Sequence, residues 1–310
     1  MNFQKFEKRT DLAIEVRESF PKDNIEIEGV VLEEESYRQG NVLMSTVEIK
    51  DQKGALQMKK PVGRYVTLEF KKDVLEKAHQ QNELQQYAGY ICRIIQKMLQ
   101  EAEKKQNMKC KTVLVSGLGN RFATPDALGP YVIEHIVMNR HVTDGYGRVS
   151  SQDCVALCGI SPGVMAQTGM ETGEILHGLV EKIKPDALLV IDSLASRSVN
   201  RLCRTVQITN TGISPGAGIG NNRKKVNQET MGIPVIAVGV PTVVDAGTII
   251  YESLENALEK EGYTEYEIES FFQSITNKEV HNLFVTPKDI DEEIRMIGKM
   301  IAFGIQKLAE

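Results

Sequence analysis

The sequence has little of what marks several common classes of protein. Its five cysteines (Cys92, Cys110, Cys154, Cys158 and Cys203) are an odd number without disulfide or zinc spacing. They read as small core residues in a reduced compartment, with Cys154 and Cys158 on one face of a strand. The five histidines (His79, His135, His141, His177 and His281) are scattered, with no HExxH and none three or four residues from another. A clustered metal motif is therefore not visible. No apolar run reaches the roughly 18 residues that a membrane helix needs. The first residues, MNFQKFEKRTDLAIEV, contain no apolar signal core. Positive charge is not in excess either. The net charge of −5 argues against a nucleic-acid or anionic-membrane binder. These absences lead us to expect a cytoplasmic protein.

Familiar catalytic and nucleotide motifs are missing too. Gly117-Leu-Gly119 follows an apolar run, but the third position of a dinucleotide fingerprint is Phe122, and Pro125 bars direct entry into a helix. In the glycine-rich stretch 212–224, Gly220 is followed by Asn221 and Asn222, so no phosphate-binding GK[ST] is present. No GxSxG occurs, and Ser116, Ser161 and Ser214 have no evident histidine partner.

What the sequence does have is 41% apolar residues over 310, enough for a substantial core. Its central stretch is TVLVSGLGNRFATPDALGP at 112–130. Thr112–Val115 is a short β-branched run suited to a buried parallel strand, and Gly117 and Gly119 end it. Asp126 follows in the loop. A second buried run, 186–192, also ends on an aspartate, Asp192. Loops at the carboxyl ends of parallel strands are where open α/β sheets hold their chemistry.

Around this centre, residues 1–16 lack periodicity and read as an arm. Strand-like runs at 25–35, 42–49 and 64–70, with turns at Asn41 and Gly54, predict an antiparallel region at the sheet edge. Residues 73–107 are rich in helix formers and lack proline. Strands are expected at 112–116, 153–159, 187–191, 204–209 and 233–240. Helices are expected near 127–139, 171–183, 197–203, 242–260 and 288–309, the last with Asp289 as a candidate cap. This alternation predicts an α/β fold, a mostly parallel sheet with helices on both faces. The loops at 160–172, 212–224 and 239–245 are expected to reach the crevice holding Asp126 and Asp192.

A lone aspartate at a strand end is commonly a helix cap. Thr242 to Asp245 looks like a first helical turn, with Thr242 as a possible cap and Asp245 completing a capping-box-like spacing, so Asp245 is read as structural. Two aspartates in Gly/Pro/Ser-rich loops suggest chemistry. Such a pair can share a proton, so that one activates water as base while the other serves as acid.

Several segments resemble the germination protease family of spore-forming bacteria, the endopeptidases that degrade small acid-soluble spore proteins. They are RTDLA at 9–13, GRYVTLE at 63–69, GLGNRFATPDALGP at 117–130 and SPGVMAQTGMET at 161–172. IDSLASRS at 191–198, GISPGAGIGNNRK at 212–224, MGIPVIAVGVPTVVDA at 231–246 and HNLFVTPKDID at 281–291 continue the likeness to the last helix.

The resemblance implies an atypical aspartic peptidase with Asp126 and Asp192 as its essential pair and no metal or other cofactor. It implies a hydrogenase-maturation-peptidase-like or phosphorylase-like sandwich, assembled as a homotetramer in the spore core. It also implies a self-processing precursor. Family substrates are cut after an acidic residue followed by a large apolar one and alanine, and Asp11-Leu12-Ala13 repeats that pattern. Residues 1–11 would then be a mobile propeptide arm and 12–310 a single peptidase domain. The competing reading of Thr10 or Asp11 is a cap on a short helix. One departure is the short stretch 261–280 before VTPK, where the family is expected to carry a longer insertion. The alternatives are a metal-dependent peptidase of the hydrogenase-maturation type and a scaffold without activity.

Overall fold

The β-branched runs of the sequence assemble into one sheet. In this computed structural model the described residues are 6, 8–20, 27–71, 81–145, 155–216, 224–276 and 280–310. The strands are β1 (Val30–Tyr37), β2 (Val42–Ile49), β3 (Gly63–Phe70), β4 (Thr112–Gly117) and β5 (Ala156–Ile160). They continue with β6 (Ala187–Ser196), β7 (Thr205–Thr209), β8 (Val235–Asp245) and β9 (Phe284–Val285). Their order is β1-β2-β3-β7-β8-β6-β4-β5, with β9 paired to β8.

The four strands β5, β4, β6 and β8 run parallel, and β1, β2, β3 and β7 join antiparallel. The early strands do form the expected antiparallel edge. The antiparallel portion is larger than the alternation suggested, because β7 pairs antiparallel with both β3 and β8.

Successive residues of the central strands go to opposite faces, and helices cover both. Val113, Val115, Leu189, Ile191, Ile236 and Val238 pack under α2 (Gln81–Gln106), α3 (Leu128–Glu134) and α7 (Ile290–Gln306). Leu114, Leu188 and Val190 pack on the other face with Leu176 and Val180 of α4 (Thr172–Ile183). That second face also carries a separate cluster over the antiparallel half. It is built from Leu12, Ala13, Ile14, Val47, Ile49, Met58, Tyr65 and Leu194. Leu12 to Ile14 therefore belong to the core, and α1 (Ala13–Glu18) starts inside it.

Three expectations change at the sheet's carboxyl end. β6 does not stop at Ile191 but runs through Asp192 to Ser196, and β8 runs through Thr242 to Asp245. Asp192 is thus within a strand. The two strands keep pairing after β4 has left the sheet, with a register shift between Leu194 and Ala195. The helix expected from 242 starts at α5 (Ala246–Leu258), and Asp245 rather than Thr242 caps it, accepting from Thr248 N at 2.9 Å. Gly54 is not in a turn but in the helix Gln52–Met58, capped by Asp51. The stretch before VTPK forms α6 (Glu265–Ile275). Asp289 stands at the start of α7 without a side-chain cap bond. Cys154 lies outside the described residues.

Candidate active site

β4 parts from β6 just before Asp192. Gly117 pairs with Ile191, and Leu118 N donates to Ile191 O at 2.8 Å as the chain turns away. Gly119 then takes a φ of +106°, and a Cβ there would lie 2.1 Å from Asp126 O. This close approach folds the turn Thr124–Asp126 back over Gly119. Asn120 N donates to Asp126 Oδ2 at 2.8 Å, fixing one side of that carboxylate. Asp192 is buried and accepts from Ser193 N at 2.9 Å.

Sheet register adds a third polar side chain. Asp192 of β6 and Gln207 of β7 both pair with Gly239 of β8, from its two sides. Paired residues share a face, so Asp192 and Gln207 flank a position that carries no side chain. Both lie on the face opposite Ile191, Val238 and Ile208. Asp126, Asp192 and Gln207 line one cavity of about 660 Å³. The three loops expected at the crevice contribute Gly163 and Val164, Gly212 to Gly216, and Thr242 and Val243; residues 217–223 lie outside the described set.

Asp11 lines the same cavity. It was expected on a mobile arm, but residues 6 and 8–11 are docked. Asp11 N donates to Ala195 O at 2.9 Å, and Asp11 Oδ2 accepts from Ala195 N at 2.9 Å. Its carbonyl oxygen accepts from Lys60 Nζ at 3.0 Å and Gln207 Nε2 at 3.2 Å. Gln207 Oε1 takes the next hydrogen bond along the chain, from Ala13 N at 2.7 Å. The Asp11–Leu12 peptide bond is thus clamped on both sides, with the Leu12 side chain fully buried beyond it. Thr10 Oγ1 accepts from Leu12 N at 3.0 Å, but no side chain caps α1.

Burial pushes the Asp11 carboxyl above its usual range, opposed by the nearby Lys60 charge and the Ala195 hydrogen bond. Burial likewise pushes the Lys60 ammonium below its usual range, opposed by Asp11 and Glu15. Among the described residues, no three His, Cys, Asp or Glu side chains stand close enough to hold a metal ion. Among them, too, no helix is long and apolar enough to cross a membrane.

Comparison with known proteins decides the family. Residues 7–280 match the family described as germination protease. The chain belongs to the germination protease family. It is 41% identical to the germination protease of Clostridium perfringens (strain 13 / Type A), over 96% of this chain and 93% of that protein. The Clostridium tetani germination protease is 42% identical, over 96% and 94%. That of Bacillus cytotoxicus is 34% identical, over 98% and 94%. Membership makes the chain a hydrolase of peptide bonds with protein substrates.

A solved [NiFe] hydrogenase maturation protease, HycI from Thermococcus kodakarensis KOD1, covers 64% of this chain and 94% of its own at 17% identity. Its TM-score of 0.31 is too low to carry any argument. The longer insertion expected in germination proteases is not general. The alignment with the Bacillus relative runs over 363 positions, but that with the C. perfringens relative runs over only 314.

Sequence reasoning missed Lys60, Ala195 and Gln207. Gln207 did leave a signal, as the one amide side chain in an otherwise apolar and β-branched run, TVQIT. Lys60 left none, being one of two lysines before a proline.

Proposed function

We propose that this germination protease is a dormant endopeptidase that cuts its own Asp11–Leu12 bond and then small acid-soluble spore proteins. Asp126 and Asp192 serve as its acid–base pair. The observation that carries the reading is that Asp11, Asp126 and Asp192 line one cavity. One carboxylate takes a proton from water as it attacks the Asp11 carbonyl carbon, and the other protonates the leaving Leu12 nitrogen. The contact from Ala195 N to Asp11 Oδ2 supports selection of a carboxyl-bearing residue before the cut, because a carboxyl oxygen accepts from the backbone N–H whether or not the group is ionised. The buried surroundings of Leu12 suit a large apolar residue after it. The active form is a homotetramer in the spore core, and no metal takes part.

The test incubates purified protein with a small acid-soluble spore protein, with and without chelator, and reads fragments and the new N-terminus by mass spectrometry. The expected mature chain begins at Leu12. Asp126→Asn and Asp192→Asn each remain full length and folded, because Asn can neither accept nor share the proton. Near wild-type cleavage by either variant would refute the pair. Activity lost to chelator and restored by one divalent ion would establish a metal-dependent peptidase instead.

A further inference from the structure

Two side-chain donors converge on one backbone oxygen, the carbonyl of Asp11, from different parts of the fold. Lys60 reaches it from the turn after the helix Gln52–Met58, and Gln207 from the middle of β7. Gln207 is buried, and its amide orientation is fixed because its own oxygen accepts from Ala13 N. A lysine and an amide donating to a single carbonyl are more than docking of an arm requires, since the Asp11 backbone and carboxylate are already held by Ala195.

We propose that Lys60 and Gln207 are catalytic residues that stabilise the oxyanion formed on the carbonyl oxygen of the bond being cut. This rests on the reading that Asp11–Leu12 is the bond cut first and that substrates follow the same path. When water attacks the carbonyl carbon and gives its proton to one dyad carboxylate, the C=O electron pair moves onto the Asp11 oxygen. The negative charge then sits between the Lys60 ammonium and the Gln207 amide. On collapse the C=O bond re-forms and the C–N bond breaks. Its electron pair leaves with the Leu12 nitrogen, which takes a proton from the acid of the pair. The products are the Asp11 carboxyl and the Leu12 amine, so no other reactant is needed. Donors held in place before charge develops need no reorganisation during reaction. This task is distinct from acid–base work, which leaves the developing oxyanion without a cationic partner.

A charged donor also gives a pH signature that a structural lysine lacks. Asp11 and Glu15 face Lys60 from the arm and α1, and Lys59, Asp126, Asp192 and Lys225 line the same cavity. The rate falls on the alkaline side as Lys60 loses its proton. An arginine there stays charged and moves that limb upward.

The experiment measures the first-order rate of self-processing in the full chain, with hydrogen exchange of residues 6–13 reporting whether the arm is docked. Lys60→Met and Gln207→Ala are expected to slow cleavage by about 10²–10³-fold, the usual loss for one oxyanion donor, with arm protection retained. Lys60→Arg restores part of the rate and shifts the alkaline limb. Processing within threefold of wild type in a docked Lys60→Met protein overturns the proposal, as does a slowing matched by an equal loss of arm protection. If in those experiments Asp126→Asn still blocks cleavage, the self-processing reading stands without this donor pair. If Asp126→Asn leaves the cut intact, or the cut falls elsewhere, it is that reading which fails.

Discussion

Asp11 loses hydration when it docks, and the sign of the resulting pH dependence follows. Its carboxyl is raised by burial, so the docked arm holds a proton that a free arm gives up. Docking is at full strength below the ordinary carboxylate pKa of about 4. It weakens as pH rises from there through the raised value. Mild acid therefore holds the bond in the cavity. This works in the same direction as the proposed acid–base pair, which would start with one carboxyl protonated. Protection of residues 8–11 against hydrogen exchange, taken relative to the intrinsic rate at each pH, is expected to be greater in mild acid than at neutral pH, and Asp11→Asn to remove most of that difference. Equal protection at both pH values in the wild type would show that Asp11 does not govern the arm. Lys60 shifts in the opposite direction, and the Asn variant separates the two contributions. Asp245 makes a contrasting case. Its Oδ1 caps α5, while its Oδ2 is 3.5 Å from Arg9 of the arm. Asp245→Asn keeps the cap oxygen, so urea denaturation should show a loss within the ~1 kcal/mol of a cap. Arm protection should fall as well, because the contact with Arg9 is weakened.

Between the strand β4 and the helix α3, two glycines let backbone meet backbone. A Cβ on Gly129 would lie 2.2 Å from Leu118 O, and one on Gly117 would lie 2.1 Å from Gly129 O. The Asp126 turn is the short link between these touching pieces. Gly129→Ala must push α3 away from β4, at about 1–3 kcal/mol as for other overpacked sites. A lower urea midpoint together with reduced peptidase activity is expected. Wild-type stability would mean that the two elements separate freely. Much at this scale was legible in the sequence. β2 matched its expected bounds, β4 and α4 differed by a residue, and Asp126 and Asp192 do line one cavity. Local signals sufficed there: unbroken β-branched runs and glycines at strand ends. The continuation of β6 past Asp192 was not legible, because Asp192, Ser193 and Thr242 look like loop residues. They are strand only because β6 and β8 pair with each other. Gln207 was hidden for a similar reason. Its place beside Asp192 depends on the shared partner Gly239, far from both in the chain.

Across the whole molecule, the arm ties the cavity to a distant pair of helices. The Phe6 ring centroid lies 5.3 Å from that of Tyr251 on α5 and 4.7 Å from that of Phe272 on α6. Phe6 N donates to Glu269 Oε1 at 3.2 Å, and Lys8 pairs with Glu255 at 2.6 Å. Residues 12–14 are core on the far side of the proposed cut, so only the segment before Leu12 is free to leave. Asp11 of the docked arm lines the cavity, and under the proposed function dormancy would depend on how rarely the arm opens. Fully burying a phenylalanine is worth about 1.5–3 kcal/mol; Phe6 is half-buried, so Phe6→Ala should loosen the arm by roughly 1–2 kcal/mol. That raises the open population about 5- to 30-fold. The unprocessed Phe6→Ala protein should therefore cleave an added peptide roughly 5–30 times faster than unprocessed wild type at neutral pH. Its own processing rate should hardly change, because the docked form remains the majority and the Asp11 contacts are intact. Peptide assays on freshly purified full-length protein, with mass spectrometry to confirm that it still begins at Met1, provide the measurement. If the leak does not increase, the arm is not what keeps substrate out. If self-processing falls in step with docking, Phe6 is needed to hold the bond in place as well as to close the cavity.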